Sequence, residues 1–247
     1  MQSTMTRRTV VARLGAVTSL LSVGSATSTL AGPAGREIKR LSRRIDELSG
    51  ALRGEVISVA DWRTGIETLL SAVPEADLMK GIDFETLARR TGFADLGVAT
   101  ARIDLGFDET KTLHFLPKIF AVDTGRSIIP HGHANMVSAH LPLTGAFRLR
   151  QYDQMSRDER SLLIRPTGDG LIGAGDLSSI GEDDDNVHWF IAEEPSYTFD
   201  VIVMGLDEAA ESRFEIFNLD MEAAEPDGNG LLRVPTMSVS AALKKYG

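Results

Sequence analysis

The stretch of the chain that decides its fold is IIPHGHANM, residues 128–136. His131 and His133 are two positions apart, so on an extended strand both side chains leave from the same face. Two imidazoles on one face can bind one metal ion. The pair alone is weak evidence, because exposed or hydrogen-bonded histidines also occur at this spacing by chance.

A third histidine strengthens the metal hypothesis. His188 follows His133 by fifty-five residues and lies at the start of the apolar run 187–192, after the acidic, glycine-containing stretch 181–186. This order resembles the cupins, in which a second strand returns a histidine to the cavity that the His-x-His strand lines. The sequence therefore predicts a metal site made of His131, His133 and His188.

This layout resembles that of the cupins. In that superfamily a His-x-His strand is followed by a hairpin and by a second strand that carries another histidine. Many cupins also have a glutamate four or five residues after the second histidine, where this chain has Val137 and Ser138. The resemblance implies a site of three histidines without a carboxylate.

The sequence from about Phe93 onward is typical of a mainly β domain. Short apolar or alternating runs are separated by turn clusters such as 123–125, 144–145 and 167–170, a pattern that predicts a sandwich or barrel. With the cupin resemblance, we expect residues 93–247 to form a double-stranded β-helix, or jelly-roll, barrel.

Residues 32–92 have the pattern of helices. Apolar residues recur at spacings of three and four from Arg36 until Gly50, where we expect the first helix to end. A second helix is predicted over 60–72 and a third over 83–90, with Asp83 as its cap. We expect these helices to pack on the barrel; a separate helical binding module is the alternative.

Residues 1–31 have the order of regions found in secretory signals. Arg7 and Arg8 precede a mildly apolar stretch, and small residues mark a cleavage site near Ala31, features that resemble a twin-arginine signal. We expect a periplasmic or secreted mature protein without a membrane span. A disordered N-terminus that happens to contain two arginines is the alternative.

Composition excludes several classes of function. The 247 residues include no cysteine, which excludes disulfides, zinc-thiolate sites and cysteine nucleophiles. The net charge is −9, and removing residues 1–31, with three arginines and no acid, would make it −12. A surface of this charge repels phosphate backbones, so nucleic acid is not an expected partner.

The histidine blocks resemble, more specifically, those of the plant cysteine oxidases and 2-aminoethanethiol dioxygenases. Aligned without gaps, the two motifs of that family match His131, His133, Met136, Gly145, Tyr152 and Asp153, and then His188, Phe190, Ala192, Pro195 and Asp200. The chain departs from the family at Gly132, at Ala134-Asn135, and at Leu206, where the family has an active-site tyrosine.

The resemblance implies one Fe(II) per chain, with another divalent metal as the alternative, and a non-haem iron dioxygenase that binds a small thiol and O2. Asp200 would then orient the substrate or a ligand, or else form an ion pair at the end of a strand. Two other functions remain open: a metallocupin with a different small-molecule activity, and a non-enzymatic cupin that binds a ligand or metal.

The other two histidines are less informative. His140 is seven residues from His133, so on one continuous strand it would point away from the site. We therefore expect it to be a surface or core histidine. His114 lies on an earlier predicted strand, and its sequence leaves its orientation open.

Overall fold

The computed structural model describes residues 32–107 and 112–247, and the predicted signal peptide lies outside these ranges. Among the described residues no helix combines the length and apolar character needed to cross a bilayer. The described part is mainly β, with helices before the strands, as predicted.

Four helices precede the β-sheets. They are α1 (Pro33–Arg53), α2 (Val59–Ser71), α3 (Glu75–Gly81) and α4 (Phe84–Thr91). The helix α2 begins with a capping box, in which Ser58 and Asp61 exchange side-chain and backbone hydrogen bonds. The sequence prediction omitted α3.

Two details of the predicted helices are wrong. The helix α1 continues through Gly50 to Arg53 and ends at Gly54; Gly50 lies where the His114 ring packs against the helix, and a Cβ there would be 3.2 Å from His114 Nδ1. Asp83 does precede α4, but it has a left-handed backbone with φ 51° and its side chain caps nothing.

Twelve strands follow. They are β1 (Ala99–Arg102), β2 (Leu116–Val122), β3 (Ser127–Ala134), β4 (Met136–Thr144), β5 (Ala146–Arg157), β6 (Ser161–Gly173), β7 (Ser178–Ile180), β8 (Val187–Ala192), β9 (Ser196–Met204), β10 (Glu215–Leu219), β11 (Glu225–Pro226) and β12 (Leu232–Met237). A short 3-10 helix, Met221–Ala223, lies between β10 and β11, and α5 (Val239–Tyr246) ends the chain.

The strands form two antiparallel sheets. One has the order β1-β2-β9-β4-β7 and the other β10-β3-β8-β5-β6-β12-β11, with a further pairing between β10 and β12. From β3 to β10 the chain passes repeatedly between the two sheets, which gives the double-stranded β-helix that the sequence predicts.

Successive residues of the five-stranded sheet point to opposite faces, and a different hydrophobic cluster packs on each face. On the five-stranded sheet, residues such as Ile119, Val137 and Val201 point outward and share a core with α1–α4. The helices therefore pack on the barrel. The opposite face points into the barrel, where Phe147, Phe190 and their neighbours form a second apolar core. The predicted site lies on this inner side.

Candidate metal centre

The structure brings together the three imidazoles selected from the sequence. One ring nitrogen from each of His131, His133 and His188 lies within 4.8 Å of the others. The ring centroids are 4.2 Å apart for His131 and His188, and 5.0 Å apart for His133 and His188. Antiparallel pairing makes this possible, because His131 on β3 is the register partner of His188 on β8.

Backbone carbonyls orient two of the rings. The Nδ1 atoms of His131 and His188 lie 2.8 Å from Ile129 O and 3.1 Å from Asn186 O. Since a carbonyl can only accept, both Nδ1 atoms carry the proton and both Nε2 atoms keep a lone pair. This tautomer is the one that a metal-binding histidine requires.

Burial keeps all three rings neutral at neutral pH. Desolvation lowers the pKa of His131 to about 4, and it lowers the pKa of His133 and of His188 well below the ordinary value of 6.5. A neutral imidazole can donate its lone pair to a metal without first losing a proton.

The donor set fits a divalent transition metal. Imidazole nitrogen suits iron, zinc, copper and nickel, and three such ligands leave coordination positions open for other groups. His133 Nδ1 is buried and has no hydrogen-bond partner among the described residues, so no carbonyl fixes the tautomer of this third ring as it does for the other two. An unpartnered polar atom costs about 1–3 kcal/mol. The described residues contain no other cluster of this kind.

Asn186 connects the two strands that carry the three imidazoles, and the sequence analysis missed it. Its side chain accepts a hydrogen bond from His133 N at 3.0 Å and donates one to His133 O at 2.8 Å. Its carbonyl accepts from His188 Nδ1. One residue thus positions both histidines, and no sequence signal marks it beyond its place two residues before His188.

Gly132 explains one departure from the thiol dioxygenase motif. A Cβ at this position would lie 2.5 Å from the Phe217 ring and 2.7 Å from Asn186 Oδ1. The aspartate of that motif therefore has no room here. The space that its side chain would need is taken by Asn186, which bridges the strands instead.

The helical layer also holds the loop that carries Asn186. Arg63 on α2 donates to Ser179 Oγ at 3.0 Å and to Asp185 Oδ2 at 2.7 Å. Glu67 on the same helix accepts a hydrogen bond from Ser179. Residues 179–186 are therefore fastened to α2 on one side and to the histidine strands on the other.

The prediction that His140 points away from the site is wrong. Its ring is buried, 3% exposed, and its centroid lies 5.5 Å from that of His188. The prediction assumed that His133 and His140 lie on one continuous strand. Asn135 instead adopts φ 60° between β3 and β4, and the chain changes sheets there. His140 is the core histidine that was expected, but it faces inward.

Asp200 reaches the site only through His140. It is fully buried in the middle of β9 and so does not lie at a strand end, and the partner of its carboxylate is His140. Its carboxylate accepts hydrogen bonds from His140 Nδ1 and, at 2.5 Å, from Thr198 Oγ1. His140 Nε2 lies 3.0 Å from Ser138 Oγ. Asp200 therefore orients the His140 ring.

His114 lies outside the centre. Its side chain is 47% exposed and its Nδ1 is 3.2 Å from Asp46 Oδ1 of α1. It serves as a reference histidine for experiments on the centre.

Comparisons with known proteins assign no family to the chain. No family model matches the sequence, and no curated protein matches it. Solved structures similar to the chain include a cupin superfamily protein from Desulfitobacterium hafniense DCB-2, with 10% identity over 47% of this chain and 86% of that one and a TM-score of 0.33. A double-stranded β-helix protein from Klebsiella pneumoniae subsp. pneumoniae MGH 78578 has 14% identity over 53% and 92%, with a TM-score of 0.35.

An oxalate oxidase has 15% identity over 44% of this chain and 52% of its own, with a TM-score of 0.34. These scores are low. The double-stranded β-helix follows from the chain's own strand order, with three histidines on two paired strands inside the barrel.

Replacing Asn186 with alanine should weaken metal binding. The loss of its side-chain bonds frees the His133 backbone, and we expect metal affinity to fall about 10- to 100-fold, as for other groups that orient ligands. Competition with a chromophoric chelator measures this. Asn135→Gly is the matched control, because it keeps the positive φ and removes an amide that binds only Asp207 and Ser212. Equal losses in both variants would contradict the role of Asn186.

The metal-free protein should lose stability as the pH falls from 7.5 to 5. The pKa of each buried imidazole is lower in the folded chain than in the unfolded chain, so the unfolded chain binds more protons below about pH 6.5. Each imidazole then contributes a slope of up to about 1.4 kcal/mol per pH unit. Urea unfolding at several pH values measures it. His131→Asn should flatten the slope, and an unchanged slope would contradict the neutral buried state.

Proposed function

We propose that this chain is a metal-dependent cupin that binds one Fe(II) through His131, His133 and His188 and oxidises a small thiol with O2. The observation that carries the proposal is the meeting of three neutral imidazoles, two of them with Nδ1 bound to a carbonyl. The overall reaction, RSH + O2 giving RSO2H, oxidises the sulfur and transfers both oxygen atoms to it.

A bound Fe(II) would supply a Lewis-acidic, redox-active centre to which thiolate and O2 can both bind. Because no carboxylate belongs to the cluster, the three ligands leave the ion's 2+ charge uncompensated, which favours an anionic thiolate. The apolar residues below the histidines, Phe147, Leu149 and Phe190, exclude water from that end of the barrel.

The buried group Asp200–His140–Ser138 supports one wall of the site. Asp200 holds His140 Nδ1, and the His140 ring packs beside the His188 ring. In this position His140 limits how the His188 ring can tilt. We assign Asp200 and His140 a positioning role and not direct contact with the reacting sulfur.

Leu206 supports the second candidate, a metallocupin with another small-molecule activity. At the position where the thiol dioxygenase family has its tyrosine, Leu206 packs against the core shared with α1–α4. Thiol-dependent oxygen uptake separates the two candidates.

Anaerobic metal titration tests the metal site. The wild-type chain should bind one Fe(II), and His188→Ala should bind none, because removing one of three ligands leaves two imidazoles on β3 alone. His114→Ala is the matched control and should bind one Fe(II). A wild-type chain that binds no transition metal, or equal binding by both variants, would contradict the proposed site.

Oxygen uptake by the iron-loaded chain tests the thiol substrate. We expect uptake with one of three thiols, namely cysteine, cysteamine or a peptide with N-terminal cysteine, and a sulfinate product by mass spectrometry. Consumption of O2 without a thiol, or none with any thiol, would leave the metal site standing and exclude the thiol dioxygenase activity.

We also propose export through residues 1–31. Arg7→Lys combined with Arg8→Lys should retain the full-length chain in the cytoplasm, because the paired arginines are what a twin-arginine receptor reads. Fractionation with a Sec-exported reference protein measures this. Unchanged export of the double variant would exclude the twin-arginine route.

A further inference from the structure

The face of β3 and β8 that carries the imidazoles continues onto the neighbouring strands. Residues that pair directly across antiparallel strands point to the same face. Gln151 on β5 pairs with His188, and Asn218 on β10 pairs with His131. Because His131 and His188 are themselves partners, one row crosses four strands and consists of two imidazoles with a carboxamide on each side.

The three carboxamides near the imidazoles differ in their hydrogen bonds. Gln151 Nε2 donates to Ser178 Oγ at 3.1 Å, and the Asn186 side chain bonds to the backbone of His133. Asn218 is only 8% exposed, yet its side chain has no hydrogen-bond partner in the part of the chain that the structure describes. Burying a carboxamide without a partner is unfavourable, so this group is available to a ligand.

Asn218 lies next to one of the proposed metal ligands. Directly paired residues of antiparallel strands have Cβ atoms about 5 Å apart, and the strand order β10-β3-β8 places Asn218 on the side of His131 that is away from His188. A carboxamide offers two N–H donors and one acceptor oxygen. From this position it can bond to a polar group of a small molecule whose other end is held by the metal.

A cleft reaches the strand that carries Asn218. It has a volume of about 740 Å³ and lies between β10, the turn 157–159 and residues 236–239, and Asn218 is part of its lining. Ile216, the register partner of His133, also lines the cleft and is 50% exposed. Two residues that share a face with the imidazoles are therefore in contact with a cleft that is open to the surface.

We propose that Asn218 is a substrate-binding residue, and that its carboxamide forms a hydrogen bond with a polar group on the carbon chain beside the sulfur of the thiol. This inference rests on the proposed metal-dependent function and adds the residue that selects among thiols. A site built to form a hydrogen bond rejects an analogue that lacks the bonding group. The chain should therefore bind thiols with a hydroxyl, amine or carbonyl group in preference to alkyl thiols.

Two uncharged thiols of the same size provide the test. 2-Mercaptoethanol ends in a hydroxyl group, and 1-propanethiol ends in a methyl group. Anaerobic titration of the full chain loaded with Co²⁺ measures the affinity for each thiol through the near-ultraviolet absorption of a thiolate bound to cobalt. The ratio of the two affinities is compared between variants, because the two thiols also differ in acidity and that difference is the same for every variant.

Variants locate the hydrogen bond. Asn218→Leu keeps the size of the side chain and removes its amide, so the affinity ratio in favour of 2-mercaptoethanol should fall about tenfold, as for the loss of one hydrogen bond. Asn218→Asp keeps an acceptor for the hydroxyl group and should keep most of the ratio. Asn229→Gly removes an exposed carboxamide at a residue with φ 49° and, as the control, should match the wild-type chain. An unchanged ratio in Asn218→Leu, or an equal fall in Asn229→Gly, would overturn the inference.

The melting temperature of the metal-free chain separates a ligand-binding amide from a structural one. Asn218→Leu removes a buried group that has no partner, so its melting temperature should equal or exceed that of the wild-type chain. Asn186→Leu is the reference for a structural asparagine and should melt at a lower temperature, because it loses two bonds to His133. A lower melting temperature of Asn218→Leu would contradict a role reserved for the substrate.

The cobalt titration also separates this inference from the proposed function. A wild-type chain that binds no Co²⁺, or binds it without binding either thiol, would contradict the proposed function and this inference with it. A chain that binds Co²⁺ and both thiols, with the same affinity ratio in the wild-type chain and in Asn218→Leu, would contradict only the role of Asn218.

Discussion

The rest of the site depends on the cross-strand pairing of His131 with His188. This register on β3 and β8 brings together imidazoles that are far apart in sequence. A slip of one residue would turn one side chain to the other face of its strand. Asn186 opposes such a slip, because it holds the backbone of His133 on one strand and the ring of His188 on the other.

The burial of His131, His133 and His188 and the neutral state of their rings depend on each other. Three imidazoles can lie this close in the interior only while uncharged, and desolvation keeps them so. The fourth inner histidine, His140, is compatible with this cluster because Asp200 is its hydrogen-bond partner. Three imidazoles inside the barrel are therefore available to a ligand, whereas the fourth, that of His140, is already hydrogen-bonded to the Asp200 carboxylate.

The sequence was sufficient for the parts of the site that depend on local geometry. Parity on one strand placed His131 and His133 on one face, and turn spacing indicated the strand of His188. His140 was placed wrongly because parity cannot show that Asn135 breaks the strand and sends the chain to the other sheet. Asn186 was missed because its side chain bonds to His133, a residue that is distant in sequence.

Two short helices, α3 and α5, were also missed. The helix α3 has only seven residues, too few for an apolar period to stand out, whereas the Ser238 cap at the start of α5 was a sequence signal that went unused. Both gain their stability from the surfaces on which they pack: Leu78 of α3 joins the core under the five-stranded sheet, and Ala242 of α5 packs on Ile129 of β3.

Hydrogen bonds from Arg63 of α2 to Ser179 and Asp185 connect the helical layer to the loop beside the histidine cluster. A displacement of α2 would be transmitted by these hydrogen bonds to the loop that carries Asn186, and by the Asn186 side chain to the backbone of His133. On heating, loosening of α2 would therefore disturb both strand β7, to which Ser179 belongs, and the backbone of His133, and with it the positions of the three imidazoles.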